Sequence, residues 1–222
     1  MKKFYVILFS LLSTTFAFAG GNSGNVLTQV TSDKPIVDNG FYLILGIGVP
    51  SYNAGFASQS MGIQPSIEIG NQFLFYKTDK LGIGMNISWF MFGYSSKNED
   101  IAYGFTYKMH NVALQFLKFG PQVTVGLNDD MAVDAYLDII PLNVNVGGGV
   151  ASASSGSDNT YAMLSAFSTF APGIKFRYKV LTIGAEVQFG NQRYADTSTD
   201  NSSDIKFDVS YINPRLLLGF KF

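Results

Sequence analysis

The chain has 222 residues and a formal net charge of −1; this length suggests one domain or at most two, and the charge gives no electrostatic footprint for nucleic acid. Charged residues make up 14% of it, against about 25% in ordinary soluble domains. Aromatics reach 15%, glycine contributes 23 residues, and cysteine is absent, which excludes disulfides, thiolate catalysis and cysteine metal sites together.

Lys2 and Lys3 open the chain, an apolar stretch runs from Phe4 to about Phe16, and Ala17-Phe18-Ala19 follows. A positive start, a short apolar stretch and a small-x-small site are the three parts of a secretory signal peptide, so residues 1–19 are expected to be removed after Ala19. No later segment suits a membrane helix, which needs ~20 mostly apolar residues. The uncharged run 139–157 is long enough but carries Pro141, Asn143, Asn145 and Gly147-Gly148-Gly149, a composition that breaks helices. Residues 20–39, with "GGNSGN" and "SDKP", show no period and read as an extended periplasmic arm. Residues 40–222 form the remaining domain.

From there the hydrophobic period is two. Phe41, Leu43, Leu45, Ile47 and Val49 alternate with Tyr42, Ile44, Gly46 and Gly48. The same alternation carries Ile67, Ile69, Phe73 and Phe75, then Leu81, Ile83, Met85, Ile87, Trp89 and Met91, and later Leu181, Ile183, Ala185, Val187 and Phe189. Such dyads mark strands with two unlike faces. Three longer strands are expected at 106–126, 131–146 and 161–178, each with a proline, and the last at 205–222. Around Ile139-Ile140-Pro141 the apolar parity switches, as a bulge beside proline would make it do. Connectors alternate in length: long at 50–62, 95–104, 147–160 and 191–204, short at 77–80, 128–130 and 179–180. Eight strands with connectors of this kind predict an all-β fold, an eight-stranded antiparallel up-and-down transmembrane β-barrel with short periplasmic turns and longer outer loops.

The apolar face of each dyad is too continuous for a strand half-exposed to water. The opposite face carries Glu68, Asp134, Asp138, Lys175, Arg177, Glu186 and Arg215, expected to form an ion-pair network in the lumen because buried charges need partners. The inward Gly46/Gly48 and Gly82/Gly84 pairs are expected to leave room for Phe90, Phe92 and Arg177. Lipid contains no water to hydrogen-bond a free sheet edge, so closure is required. Eight strands leave an interior just wide enough for side chains to fill, which weighs against a wide pore.

The chain ends "PRLLLGFKF", with Leu216, Leu218, Phe220 and Phe222 alternating. This resembles the C-terminal strand of Gram-negative outer-membrane barrels, in which a terminal aromatic is read by the barrel-assembly machinery. In its overall pattern the mature chain looks like the small barrels related to the OmpA membrane domain and OmpX. That resemblance implies an outer-membrane location, outer-membrane lipid as a partner, and Phe220 and Phe222 as the assembly signal. No peptidoglycan-binding domain follows the strands, so a cell-wall tethering role does not carry over.

No catalytic cluster, metal site or cofactor is expected. The lone His110 shares parity with Val112, Leu114 and Phe116 and is expected to face outward near the outer interface, beside Tyr107 and Met109. Asp196, Asp200 and Asp204 lack the alternate-residue spacing and closing Glu of a calcium loop. Tyr76, Trp89, Tyr94, Tyr103, Tyr107, Tyr178 and Tyr211 are expected at the interface girdles. Function is therefore expected to be structural or surface-directed, with four outer loops open to an extracellular ligand. A narrow channel for small solutes is one alternative; a lipid A-modifying enzyme using His110 is another.

Overall fold

The computed structural model describes residues 35–55, 58–101, 105–151, 159–196 and 206–222. The signal peptide, most of the expected arm, Tyr103, Asp200 and Asp204 lie outside them. Residues Pro35–Phe222 make one compact unit, which begins five residues ahead of the expected boundary.

Ten strands follow in order: β1 (Gly40–Gly48), β2 (Ser51–Asn53), β3 (Ser58–Ser60), β4 (Gln64–Lys77), β5 (Leu81–Ile101), β6 (Phe105–Gly126), β7 (Met131–Ala151), β8 (Asn159–Tyr178), β9 (Leu181–Asp196) and β10 (Lys206–Lys221). Antiparallel pairing runs β1-β4-β5-β6-β7-β8-β9-β10, and β10 returns to β1, closing an eight-strand ring. β2 and β3 prolong β1 and β4. Gly48 pairs with Arg215 and Ser51 with Ile212, so the register on β10 continues unslipped past Val49-Pro50. Proline has no N–H for a ladder bond, yet Val49 N still donates to Pro214 O at 3.2 Å and Met61 N to Pro50 O at 2.9 Å.

The expected loop 50–62 is thus largely a hairpin, a correction that applies to the other long connectors as well. β5 and β6 stay paired to Ile101↔Phe105, β7 and β8 to Gly149↔Asn159, and β9 reaches Asp196, opposite Tyr161. Ser51, Asn53, Ser58, Ser60, Ser95, Ser96, Asn98 and Asn191, which read as loop, sit on two-stranded ribbons that continue the barrel wall. At the other end the connectors are the expected short turns, and Lys179 there takes a φ of 53°.

Four bulges line up across β5 to β8. Trp89 and Leu117 lie between the pairs Ser88↔Lys118 and Phe90↔Phe116. β7 slips between Ile140 and Leu142, and β8 between Leu164 and Thr169. Leu117 and Phe167 both have φ of 55°, a left-handed conformation that non-glycine residues seldom adopt. On β5, β6 and β7 the inward positions change parity across the bulge, while on β8 they stay odd, from Met163 and Ser165 to Thr169 and Ala171. The switch expected at Pro141 is present, but the one at Trp89 was not foreseen. Beyond it Met91 is buried in the lumen and Phe90 and Phe92 face outward, the reverse of the expectation for all three.

The outer wall is apolar over its middle: Leu45, Ile47, Phe73, Leu137, Ile174, Ile183, Leu216 and Leu218 all lie exposed, Leu216 at 69%. A wall of this kind is stable only against hydrocarbon. Leu216→Arg, opposite Ala185 in the middle of the wall, is expected to destabilise the barrel in lipid vesicles by about 2–4 kcal/mol, whereas Ser210→Arg, beyond the apolar stretch, costs about 0–1 kcal/mol. Reversible denaturant unfolding in vesicles measures both, and equal effects would contradict the placement of the apolar wall.

Candidate functional site

Inward-facing residues fill the lumen in layers, set by the dyad and by where a bulge resets it. At the turn end the chain before β1 folds inward. Ile36 and Val37 pack with Leu74 and Ala132, and Val37 occupies the space left open at Gly82, where an added Cβ would meet its Cγ1 at 2.9 Å. Asp38 anchors this segment through Lys77 at 2.6 Å, and Asn39 Oδ1 accepts from Leu74 N at 2.6 Å. The described part of the expected arm is therefore a plug and not an extended strand.

Above it Arg177 Nε donates to Asp134 Oδ2 at 2.6 Å and its second nitrogen to Ile36 O at 2.8 Å. Thr124 donates to Asp134 Oδ1 at 2.6 Å. Next comes Lys175, whose ammonium lies 4.6 Å from the Tyr42 ring centre and 4.4 Å from that of Tyr136. Both rings lie over glycines of neighbouring strands, Gly70 and Gly173, where a Cβ would come within 2.4 Å and 2.3 Å of ring atoms. Lys175 reaches Asp138 only through Asn86, which accepts from Lys175 at 3.2 Å and donates to Asp138 at 2.6 Å.

Midway up, four charges alternate in sign. Lys118 Nζ meets Glu68 at 2.8 Å and Glu186 at 2.7 Å, while Arg215 meets the same two carboxylates at 3.2 Å and 2.6 Å. Tyr136 and Gln188 also donate to Glu186, and Arg215 to Ser66. Charges out of water cost several kcal/mol each unless their attraction and hydrogen bonds offset it, and the two positive and two negative groups here sum to zero.

The structure brings Glu68, Glu186 and Arg215 into this quartet, joins Asp134 to Arg177 lower down, and links Asp138 to Lys175 only through the Asn86 amide. Lys118 was missed. It enters the lumen because the Leu117 bulge shifts the inward positions of β6 from odd (Asn111, Ala113, Gln115) to even (Lys118, Gln122, Thr124). The apolar positions betray this shift, moving from Val112, Leu114 and Phe116 to Phe119, Val123 and Val125.

Toward the hairpin end a layer of carboxamides follows: Gln115 with Gln188 at 2.7 Å, Asn145 with Gln192 at 3.0 Å and Asn213 with Gln64 at 3.0 Å. Tyr52, Met61, Met109, Met163, Val209 and Tyr211 then cap the lumen. Tyr211 belongs to this cap and not to an outer girdle, since it is 2% exposed. Trp89 is exposed in mid-wall, with its indole N–H on Asn71 Oδ1 at 2.7 Å. Arg215 and Asn213, with Val37 and Leu74, fill the space beside Gly46, Gly48 and Gly82, the room that was expected to hold Phe90, Phe92 and Arg177. His110 lies on the outer side, its Nδ1 2.6 Å from the Tyr94 hydroxyl. Among the described residues no serine or carboxylate bonds to it. Phe220 and Phe222 project outward from the end of β10.

A closed antiparallel ring, greasy outside and charged within, needs a bilayer and has no place for one in water. The chain folds as a transmembrane β-barrel. Among solved structures it is similar to the attachment invasion locus protein Ail of Yersinia pestis, in complex with the heparin analogue sucrose octasulfate, at 11% identity over 84% of this chain and 100% of that one, TM-score 0.47. It is also similar to the outer membrane protease OmpT of Escherichia coli, at 7% identity over 83% and 95%, TM-score 0.48. Neisserial surface protein A gives 11% over 82% and 97%, TM-score 0.42. No family model and no curated protein sequence matches the chain.

Two predictions follow from the geometry of the lumen. Lys118→Met leaves Glu68 and Glu186 facing a single Arg215 and is expected to destabilise by about 3–5 kcal/mol, the usual cost of stranding a buried charge. Adding Glu186→Gln, which restores one charge of each sign, should recover part of the loss in a denaturant titration. Burial would raise the Asp38 carboxyl, but the hydrogen bond and charge of Lys77 and the Asn39 N–H hold it below its ordinary value. A carboxyl depressed in the folded state stabilises fully above its unfolded pKa, and the contribution fades as pH falls through the folded one. The denaturant midpoint should drop below about pH 4, and less so in Asp38→Asn.

Proposed function

We propose that this barrel is a non-conducting, non-enzymatic scaffold whose work is done at its outer face. Short turns would lie in the periplasm and the long hairpins outside. One observation carries the reading: the described lumen is occupied along its length, from the Ile36–Val37 plug through the ionic quartet to the methionine and tyrosine cap. A cavity among the described residues, bordered by Tyr42, Asp134, Lys175 and Lys221, has a volume of about 10 Å3, room for roughly one water molecule. A solute path through it would require breaking the quartet, so the narrow-channel alternative has nothing in the lumen to support it.

What would reach beyond the membrane is four ribbons, whose described backbones are paired as far as Asn53↔Ser58, Ile101↔Phe105, Gly149↔Asn159 and Ala195↔Lys206. Their outer faces carry Asn98, Lys108, Arg193, Asp208 and Ser210. Rigid scaffolds presenting polar loop tips are a common arrangement for surface recognition. Phe220 and Phe222, exposed at and just beyond the end of the strand that closes the ring, are in this reading the signal for the barrel-assembly machinery.

Planar-bilayer recording of the purified barrel should show no conductance steps. Replacing the four hairpin tips with short turns should abolish surface binding by whole cells while leaving the folded, detergent-resistant barrel intact. Steady conductance from the wild-type protein, or undiminished surface binding without the tips, would refute the scaffold reading.

A further inference from the structure

The segment just ahead of β1 is attached differently from everything else in the lumen. Residues 35–39 form no strand, and the ladder begins at Gly40. Val37 is 1% exposed and sits as a knob in a socket. Two glycines keep the socket open. A Cβ on Gly82 of β5 would meet Val37 Cγ1 at 2.9 Å, and one on Gly126 of β6 would meet its Cγ2 at 3.1 Å. Leu74 and Ala132 complete the socket, with Ile36 beside Val37.

Four polar contacts among the described residues hold the segment in place. Arg177 Nη1 donates to Ile36 O at 2.8 Å and Lys221 Nζ to Asp38 O at 2.5 Å. Leu74 N donates to Asn39 Oδ1 at 2.6 Å, and Lys77 Nζ meets Asp38 Oδ1 at 2.6 Å. None of the four is a rung between β1 and its neighbours, so releasing the segment leaves the β1–β4 and β1–β10 pairings whole. Arg177 would still hold Asp134, through Nε at 2.6 Å and Nη2 at 3.1 Å. The Lys77–Asp38 pair is itself half in water, with side chains 51% and 28% exposed. At an open mouth Arg177 and Lys221 would exchange a carbonyl for water, and a hydrogen bond exchanged in this way changes stability little. Elements held by few contacts outside the main ladder are the ones that open locally while the rest stays folded.

We propose that residues 35–39 are a strap that closes the turn-end mouth of the barrel and swings out between Asn39 and Gly40 while the ring stays shut. Val37 is its knob, and the Lys77–Asp38 ion pair is its latch. Swung out, the strap uncovers a vestibule bordered by Arg177, Thr182 and Lys221. The vestibule is blind, because the Lys175 ammonium between the Tyr42 and Tyr136 rings blocks it from above. Opening therefore admits water to the turn end without making a path through the barrel.

The chain contains no cysteine, so a single introduced thiol reports access without background. Thr182→Cys places it beside Arg177 and Lys221, the two side chains that grip the strap's backbone. Ser210→Cys places a reference thiol on the exposed outer face. In the purified barrel in detergent, 2-sulfonatoethyl methanethiosulfonate should modify Thr182→Cys about tenfold more slowly than Ser210→Cys, or slower still. Val37→Lys puts a charge on the knob, and Gly82→Val fills the socket. Each should raise the Thr182→Cys rate by about tenfold and leave the Ser210→Cys rate unchanged. Lys77→Ala undoes only the latch and should raise it about two- to fivefold, as befits a half-exposed ion pair. Heat-dependent gel migration shows which variants remain folded barrels, and knob and socket are altered separately so that one misfolded variant does not end the test. Thr182→Cys reacting as fast as Ser210→Cys with the strap unaltered overturns the proposal. So does a rate that stays slow in a folded knob or socket variant, and a rate unmoved by Lys77→Ala overturns the latch.

Discussion

Hydrocarbon offers no hydrogen bonds, and that constraint organises this molecule. Each backbone N–H and C=O at membrane depth must find a partner within the sheet, and an open edge would leave a whole row of them bare. The β1–β10 pairing, from Tyr42↔Lys221 to Gly48↔Arg215, removes that edge. Closure in turn fixes the interior. Eight strands enclose a space that side chains can fill but that is too narrow for bulk water, so inward polar groups find their partners mainly in one another, as Gln115 does in Gln188 and Asn213 in Gln64. The paired amides and the alternating charges are the consequence of a decision made at the backbone.

The bulges reconcile that interior with the wall. A strict dyad over more than twenty residues, as in β5, β6 and β7, would commit each strand to one parity from end to end. The bulge band resets the parity at the level of the quartet, so the lower and upper halves of the same strand use different residues for the lumen. Without the reset at Leu117, Lys118 would point into lipid and Glu68 and Glu186 would share only Arg215. The left-handed backbone at Leu117, which costs of order 1–3 kcal/mol, is therefore tied to the placement of the lumen's most connected cation.

This explains what could and could not be read from the residues. The eight strands of the ring, their order, the alternation of short and long connectors and the inward direction of seven charged residues were all legible, because a lipid-facing dyad is a strong periodic signal. The shift at Pro141 was legible because proline marks it. The shift at Leu117 left a trace in the apolar positions but no proline or glycine to flag it, and Lys118 went unnoticed. At Trp89 even the trace is blurred, since Trp89, Phe90, Met91 and Phe92 are all apolar and either parity satisfies the pattern. Above the membrane the signal disappears for a different reason. A ribbon wet on its outer face needs no apolar dyad, so Ser51–Asn53 and Ser58–Ser60 have the composition of a loop although they pair as strands.

The quartet also links residues that only the closed ring brings together. Lys118 and Glu186 are 68 residues apart, and Arg215 and Glu68 are 147 apart. Glu68 lies on β4, next to β1, while Arg215 lies on β10, on the far side of the closing seam. Without β10, Glu68 and Glu186 would share the one lysine. Arg215 arrives with the closing strand and neutralises them. Electrostatics thus favours the closed ring over an open sheet from the inside, just as the unpaired backbone disfavours the open sheet at its edge. The two forces act on the same step, and each strengthens as water leaves, because a lower dielectric makes both an unmatched charge and an unpaired peptide more costly.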